Sequence, residues 1–247
     1  MPVQVIEIDS GWQFSKASEN EWLEATVPGC VHTDLLNAGR IDDPFYRDNE
    51  EKLMWIGETD WVYAVDFDTA HDFLEHDRVL LRFEGLDTLA AVTLNDTPLG
   101  QTDNMFRTWE FNVAGILTAG RNRLAVHFTA PGPYARAKQE REFLQHGGIG
   151  HHRLNGCNRI RKEQCNFGWD WGPMCLTSGI WRPVHLVGFS DARISQVFTD
   201  QMHRERKVQL GVCVEAEKVS AGALAAEVAL EFEGQTVAET TDRKSVV

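Results

Sequence analysis

Four short segments govern what the first half of this chain can become: WVYAVDFD (Trp61 to Asp68), RVLLRFEG (Arg78 to Gly85), TLAAVTLND (Thr88 to Asp96) and NRLAVHFTA (Asn122 to Ala130). They are rich in β-branched and aromatic residues, alternate in polarity, and are cut by turn residues. Alternation with period two gives a strand one apolar face, and that face needs cover. LNDTPLG, with Asn95 and Asp96 supplying the turn chemistry, predicts a hairpin. Helical signals are few. VHTDLLNAG (Val31 to Gly39) is closed by a glycine, and PYARAKQEREFLQHGG (Pro133 to Gly148) has proline near its start and glycine past its end. Many short strands with turns about every 8–12 residues predict an all-β sandwich or jelly roll with minor helices.

A second unit begins near Ser190. ARISQVFTDQ, KVQLGVCVEAE and LAAEVALEFEGQTVAE read as three or four further strands. An immunoglobulin-like sandwich needs about seven strands over roughly 100 residues, more than this stretch holds. The expected organisation is a sandwich or jelly roll over residues 1–190, then a further, incomplete domain over 191–247. The chain is then a fragment of something longer. The alternative is that the last strands decorate the first domain.

Charge excludes several partners. With 37 acidic against 24 basic residues the formal charge is -13, so the chain as a whole repels nucleic acid and anionic membranes. Arg136 to Gln164 is locally basic, with seven Lys/Arg against three Glu, and reads as a solvated face or a source of internal ion pairs. No run reaches the ~18 apolar residues of a membrane-spanning helix. The start, MPVQVIEIDSGWQF, lacks the basic and apolar regions of a secretion signal, and five cysteines show no tight pairing pattern. A reducing, cytoplasmic setting is expected. The sequon at Asn95, followed by Pro98, carries little weight without export.

Motifs of common chemistries are missing. GGIG (Gly147 to Gly150) lacks the spacing of a dinucleotide loop, and neither a Walker lysine motif nor a nucleophile elbow is present. His151, His152, Cys157, Cys165 and Cys175 match no metal-ligand spacing, so neither metal nor cofactor is expected. Glu163 and Asp170 offer no basis for a pair of glycosidase carboxylates. Glu163, within RIRKEQ, reads as an ion-pair partner of Arg159, Arg161 or Lys162.

One stretch remains unusual, NFGWDWGPMCLTSGIWRPV (Asn166 to Val184). Trp169 and Trp171 flank Asp170, glycines at 168 and 172 bracket all three, and Pro173 follows, which marks a loop or strand end approached closely by something. A carboxylate accepts charge-assisted hydrogen bonds from two adjacent hydroxyls, and tryptophan offers an apolar face to the C–H face of a sugar ring. On spacing alone a second reading stands beside this one, in which the tryptophans are core and Asp170 caps a turn. The polar turn DPFYRDNE (Asp43 to Glu50) is either surface or, through Asp48 or Asn49, a second approach to the same ring. Trp12, Trp22, Trp55, Trp61 and Trp109 read as core.

FGWDWGPMCLTSGIWRPVHL resembles the signature of β-mannosidases in glycoside hydrolase family 2, a Trp-Asp-Trp-Gly-Pro stretch followed by a Gly-Ile-Trp-Arg-Pro strand. ATVPGCVHTDLLNAGRIDDPFYRDNEEKLMWIGETDWVY (Ala25 to Tyr63), FEGLDTLAAVTLNDTPLGQTDNMFRTWEFNV (Phe83 to Val113) and RIRKEQCNFGWDWGP are similar to the same enzymes, so the likeness covers about residues 10 to 190. The resemblance implies a galactose-binding-like jelly roll, an immunoglobulin-like sandwich, and a (β/α)8 barrel that carries both catalytic glutamates. It implies that Asp170 binds sugar hydroxyls while Trp169 and Trp171 line or brace a pocket for a terminal mannose.

A barrel alone takes roughly 250 residues, so no catalytic residue is expected in this chain. The expected partners are a β-mannoside oligosaccharide and the barrel of the same polypeptide. The expected activity of the whole is retaining exo-hydrolysis of terminal β-D-mannose, with this chain inactive alone. Two rival functions stay open: a relative with another sugar preference, such as galactose, glucuronic acid or glucosamine, and a non-catalytic carbohydrate-binding module or scaffold.

Overall fold

The computed structural model describes residues 3–143, 154–205 and 207–242. His151, His152 and the glycines at 147–150, considered above, lie outside that range. The described chain falls into two compact units, one of Val5–Glu75 with Val79–Val187, the other chiefly from Gly188 onward. The all-β expectation holds. The strands of the first part are β1 (Gln4–Glu7), β2 (Gln13–Lys16), β3 (Leu23–Glu24), β4 (Trp61–Thr69), β5 (Arg78–Phe83), β6 (Ala90–Leu94), β7 (Thr97–Thr102), β8 (Trp109–Asn112), β9 (Gly120–Phe128) and β10 (Val184–Phe189). Among the described residues three α-helices interrupt them, α1 (Val31–Asn37), α2 (Asn49–Lys52) and α3 (Pro131–Arg141), besides short 3-10 turns.

Two sheets result, one of six strands in the order β3-β2-β4-β9-β6-β7 and one of four in the order β1-β10-β5-β8. The four segments singled out in the sequence become β4, β5, β6 and β9, and period-two alternation decides which side chains enter the core. Along β9, Asn122, Leu124, Val126 and Phe128 are buried, while of the residues between them Arg123 is exposed and Ala125 and His127 are half-buried. Phe14, Trp61, Tyr63 and Val65 join them from the large sheet, and Val79, Leu81, Phe83 and Leu186 from the small one. Each such large apolar side chain contributes about 1.5–3 kcal/mol by leaving water.

The predicted punctuation is used physically. Asn95 and Asp96 sit at φ 48° and 60°, which suits the twist of the β6–β7 hairpin. The Asn95 side chain donates to the Ile116 carbonyl at 3.0 Å and accepts from the Arg123 N–H at 2.9 Å, so this sequon asparagine is occupied internally. Gly39 closes α1 with φ 65°, and the next N–H, of Arg40, reaches back to the Leu35 carbonyl at 2.8 Å. α3 departs from expectation: it starts at Pro131 and ends at Arg141, before the glycines. Lys138 and Arg141 in its last turn complement the helix dipole there. Arg136 makes a two-pronged ion pair with Glu58 at 2.5 and 2.6 Å, so part of the basic stretch does serve internal pairing. Trp12 and Trp61 are buried and Trp22 and Trp109 half-buried, but Trp55 lies exposed in a 3-10 turn with the Lys16 ammonium 5.1 Å above its ring.

The second unit holds β11 (Ala192–Arg204), β12 (Lys207–Lys218), β13 (Ala226–Phe232) and β14 (Gln235–Asp242). They form two separate antiparallel hairpins, β11–β12 and β13–β14. Arg193 pairs with Glu217 across the first, at 2.8 Å.

Candidate functional site

The WDW segment is a loop that leaves the sandwich at Arg161 and returns at Gly179. Its neck is stitched by backbone: the Met105 N–H donates to the Arg161 carbonyl at 3.0 Å, and Asp87 and Gly179 exchange N–H to carbonyl bonds of 2.9 and 3.0 Å. Between these ties lies a buried ion pair. The Lys162 ammonium, wholly buried, donates to both carboxylate oxygens of Asp87 at 2.6 and 2.5 Å, and to the carbonyl and hydroxyl of Thr177, both at 2.8 Å. The Thr177 hydroxyl donates to Asp87 at 2.6 Å, and Thr88 donates to the other carboxylate oxygen. Burial draws Lys162 below its ordinary value, and the adjacent Asp87 opposes that fall. Removing one member of such a pair strands a buried charge at a cost of about 3–5 kcal/mol.

This network corrects the ion pair expected of Glu163. Lys162 is committed to Asp87, Arg159 donates to the Gln139 side-chain oxygen at 2.8 Å, and the Glu163 carboxylate accepts a thiol bond from Cys165 at 3.3 Å. Asp87 escaped the sequence reading because it lies far away in the chain, on the connection from β5 to β6, and no local pattern links it to Lys162.

Beneath the loop a small second core contains Ala135, Cys157, Ile160, Phe167 and Leu176. Leu176 packs so closely on Gly57 that a Cβ there would stand 2.4 Å from the Leu176 Cβ, which explains a glycine inside WIGETDW. The DPFYRDNE turn touches the loop through a residue the sequence did not single out, since the Glu50 carboxylate accepts the Met174 N–H at 2.8 Å. Asp48 and Asn49 are engaged nearer home. Asp48 pairs with Lys52 at 3.1 Å, which lowers its pKa, and Asn49 donates to the Asp43 carbonyl at 2.9 Å. Cys175 sits close enough to Glu50 that burial and the carboxylate push its thiol up to about 11.

The tip projects from this base. Gly168 has φ 90°, a conformation side chains avoid, and it redirects the chain into a tight turn closed by a 3.4 Å bond from the Trp169 N–H to the Gly172 carbonyl. A Cβ on Gly172 would meet nothing within 4 Å, so of the two bracketing glycines only Gly168 is required by backbone conformation. The structure brings the two rings together, 4.8 Å apart and inclined at 58°. Trp169 is half-buried while Trp171 is 77% exposed. Asp170 is exposed and, among the described residues, makes no hydrogen bond or ion pair, so it is not seen capping the turn.

Two hollows flank the base. One of about 300 Å³ is lined by Cys30, Thr33, Asp87, Asn166, Thr177 and Trp181. The other, about 520 Å³, is lined by Tyr134, Lys138, Arg159, Arg161 and Glu163 among others. Neither includes Trp169, Asp170 or Trp171. Next to the buried ion pair, His32 in the first turn of α1 is buried, with no partner for its Nδ1 among the described residues. Burial, aided by the nearby Lys162 charge, lowers its pKa to about 4.

The first unit is thus a two-sheet sandwich carrying an exposed aromatic, carboxylate-bearing loop. The chain belongs to the family of glycosyl hydrolase 2 galactose-binding domain-like proteins, whose model matches residues 12–182. It is 38% identical over 196 residues to the β-mannosidase of Capra hircus, covering 75% of this chain and 22% of that enzyme. It is 38% identical over 205 residues to β-mannosidase B of Thermothelomyces thermophilus, covering 81% and 23%. The crystal structure of a β-D-mannosidase from Dictyoglomus thermophilum superposes with a TM-score of 0.87 at 34% identity, over 97% of this chain and 29% of that one. A β-D-glucuronidase from the same organism shares the fold alone, at 14% identity and a TM-score of 0.63. The chain thus spans less than a third of the length of these β-mannosidases.

Proposed function

We propose that the chain is the amino-terminal portion of a retaining exo-β-mannosidase that removes terminal non-reducing β-D-mannose, and that its WDW tip supplies part of the mannose subsite. The observation that carries this reading is the tip itself: an exposed carboxylate with no partner among the described residues, beside a tryptophan ring 77% exposed, on a base fixed by buried bonds. Asp170 accepts hydrogen bonds from neighbouring sugar hydroxyls, and Trp171 offers its face to the C–H side of the ring. Identity of 38% to mammalian and fungal β-mannosidases, against 14% for the glucuronidase, favours mannose over the other sugars. The open surroundings of the tip suit a subsite completed by a catalytic barrel of the same polypeptide. There one carboxylic acid protonates the leaving oxygen while a carboxylate attacks the anomeric carbon. This chain contributes neither group, and alone it is inactive.

The test is an assay of the polypeptide at the length of its relatives on chromogenic β-mannoside, β-galactoside and β-glucuronide, beside Asp170→Ala. Cleavage of the mannoside, with kcat/KM at least tenfold lower in the variant, is the expected result. Undiminished activity of Asp170→Ala removes the tip from the subsite, and preference for another glycoside overturns the mannose assignment.

A further inference from the structure

We infer that Asp87, Lys162 and Thr177 act together as a positioning clamp that sets where the Trp169–Trp171 tip stands, and so tune sugar binding without touching the sugar. The consequence for sugar rests on the function proposed above; the consequence for the tip does not.

The inference starts from where the three residues lie in the chain. Lys162 and Thr177 stand at the two ends of the loop formed by residues 163–176, so a bond between them closes its neck. Lys162 closes it twice, through the carbonyl and the hydroxyl of Thr177. Asp87 then ties both ends to the sandwich, accepting from Lys162 and from Thr177 with the same carboxylate. Its own backbone pairs with Gly179 just beyond the neck. One residue of the scaffold therefore fixes both stems of the loop.

Beyond the clamp, Phe167 and Leu176 pack in the small core, and Glu50 holds the Met174 N–H. Nearer the tip the Gly168 N–H donates to the Cys165 carbonyl at 3.0 Å, the Trp169 N–H closes the turn on the Gly172 carbonyl, and the Trp169 and Trp171 rings meet, all contacts that lie within the loop itself. Trp171 and Asp170, the side chains offered to a ligand, are exposed, so the direction in which they project is inherited from the stems. A buried ion pair suits that task, because the ammonium shares its three N–H groups among four acceptors at fixed positions, whereas apolar side chains of similar volume pack without fixing direction.

That contrast supplies the experiment. Exchanging both charges for apolar groups, Lys162→Met with Asp87→Leu, removes the directed bonds without stranding a charge, a swap that often leaves stability nearly unchanged. In the polypeptide at the length of its relatives, amide hydrogen exchange at Gly168 and Trp169, whose N–H groups are hydrogen-bonded, is measured alongside kcat and KM on a chromogenic β-mannoside. Exchange there at least tenfold faster, with KM raised about tenfold and melting little altered, is the expected result. Unchanged exchange at the tip of a folded double variant overturns the clamp. Faster exchange with unaltered KM sustains the clamp and overturns the mannose reading instead. Should the double variant fail to fold, Thr177→Val, which removes only the hydroxyl links, is read in the same way. Thr177→Ser restores the hydroxyl and is expected to return both quantities toward their original values, a recovery that mere loss of packing does not predict.

Discussion

The sandwich strands and the hairpins from Ala192 onward carry the same kind of alternating sequence, yet only the first set is covered. In β9 every second residue from Asn122 to Phe128 is fully buried. In β11 and β13 the apolar residues Ile194, Val197, Leu230 and Phe232 remain exposed, the last by 67%. β14 is exposed along its whole length. Alternation therefore records a face that suits burial and does not say what will bury it. Within the sandwich the cover is the opposite sheet, brought there by chain reversals that the turns permit.

The sharpest way to break this comparison is to remove one large aromatic from each region. Phe14→Ala, in the packed core beside Trp61 and Tyr63, is expected to lower stability by about 3–5 kcal/mol. Phe232→Ala in β13 is expected to change it by no more than about 0.5 kcal/mol. Urea unfolding of the two variants checks the pair, and equal losses would show that the hairpins are packed in solution.

A second, somewhat smaller effect belongs to the sandwich unit alone. His32 is held neutral in the fold, with its pKa lowered from 6.5 to about 4 by burial and by Lys162, while Asp87 partly opposes the change. The unfolded chain binds the proton first, so this stability is fully present above pH 6.5 and drains away as pH falls toward about 4, by roughly 3 kcal/mol. Asp34, whose pKa burial raises, changes in the opposite sense, so the informative quantity is the difference between proteins. His32→Gln is expected to flatten the acid limb of a stability-against-pH curve, and an unchanged limb would assign it to other groups.

The smallest effect on stability is expected where the hairpins meet solvent. Val197→Lys together with Val208→Lys is expected to leave unfolding within about 0.5 kcal/mol of the parent. It is also expected to reduce self-association in sedimentation velocity, because charges on exposed apolar strands oppose edge-to-edge pairing. Identical sedimentation with and without the lysines would mean these faces do not drive association.

Local chemistry made much of this legible. The β4, β5, β6 and β9 strands, the Asn95–Asp96 hairpin and the glycine-closed α1 follow from short-range rules of alternation and backbone conformation. The tip was legible too, since its residues are adjacent in the chain and Gly168 is needed for its turn. Trp55 was misread because hydrophobicity does not reveal that a 3-10 turn ends at the surface. Glu163 was misread because the charge nearest in sequence was taken as its partner. Asp87 and Glu50 were missed altogether, as each meets the loop across a long span of chain.

By itself, then, the sequence determined the all-β class, the turns, and the chemical character of the WDW segment, because these depend on neighbours within a few residues. Only the tertiary structure decided which alternating faces were covered, which carboxylate received Lys162, and that Asp170 and Trp171 stand outward on a clamped base. Burial and ion pairing are settled between segments far apart in the chain. Their outcome depends on where the fold brings those segments together, and local pattern carries no record of that.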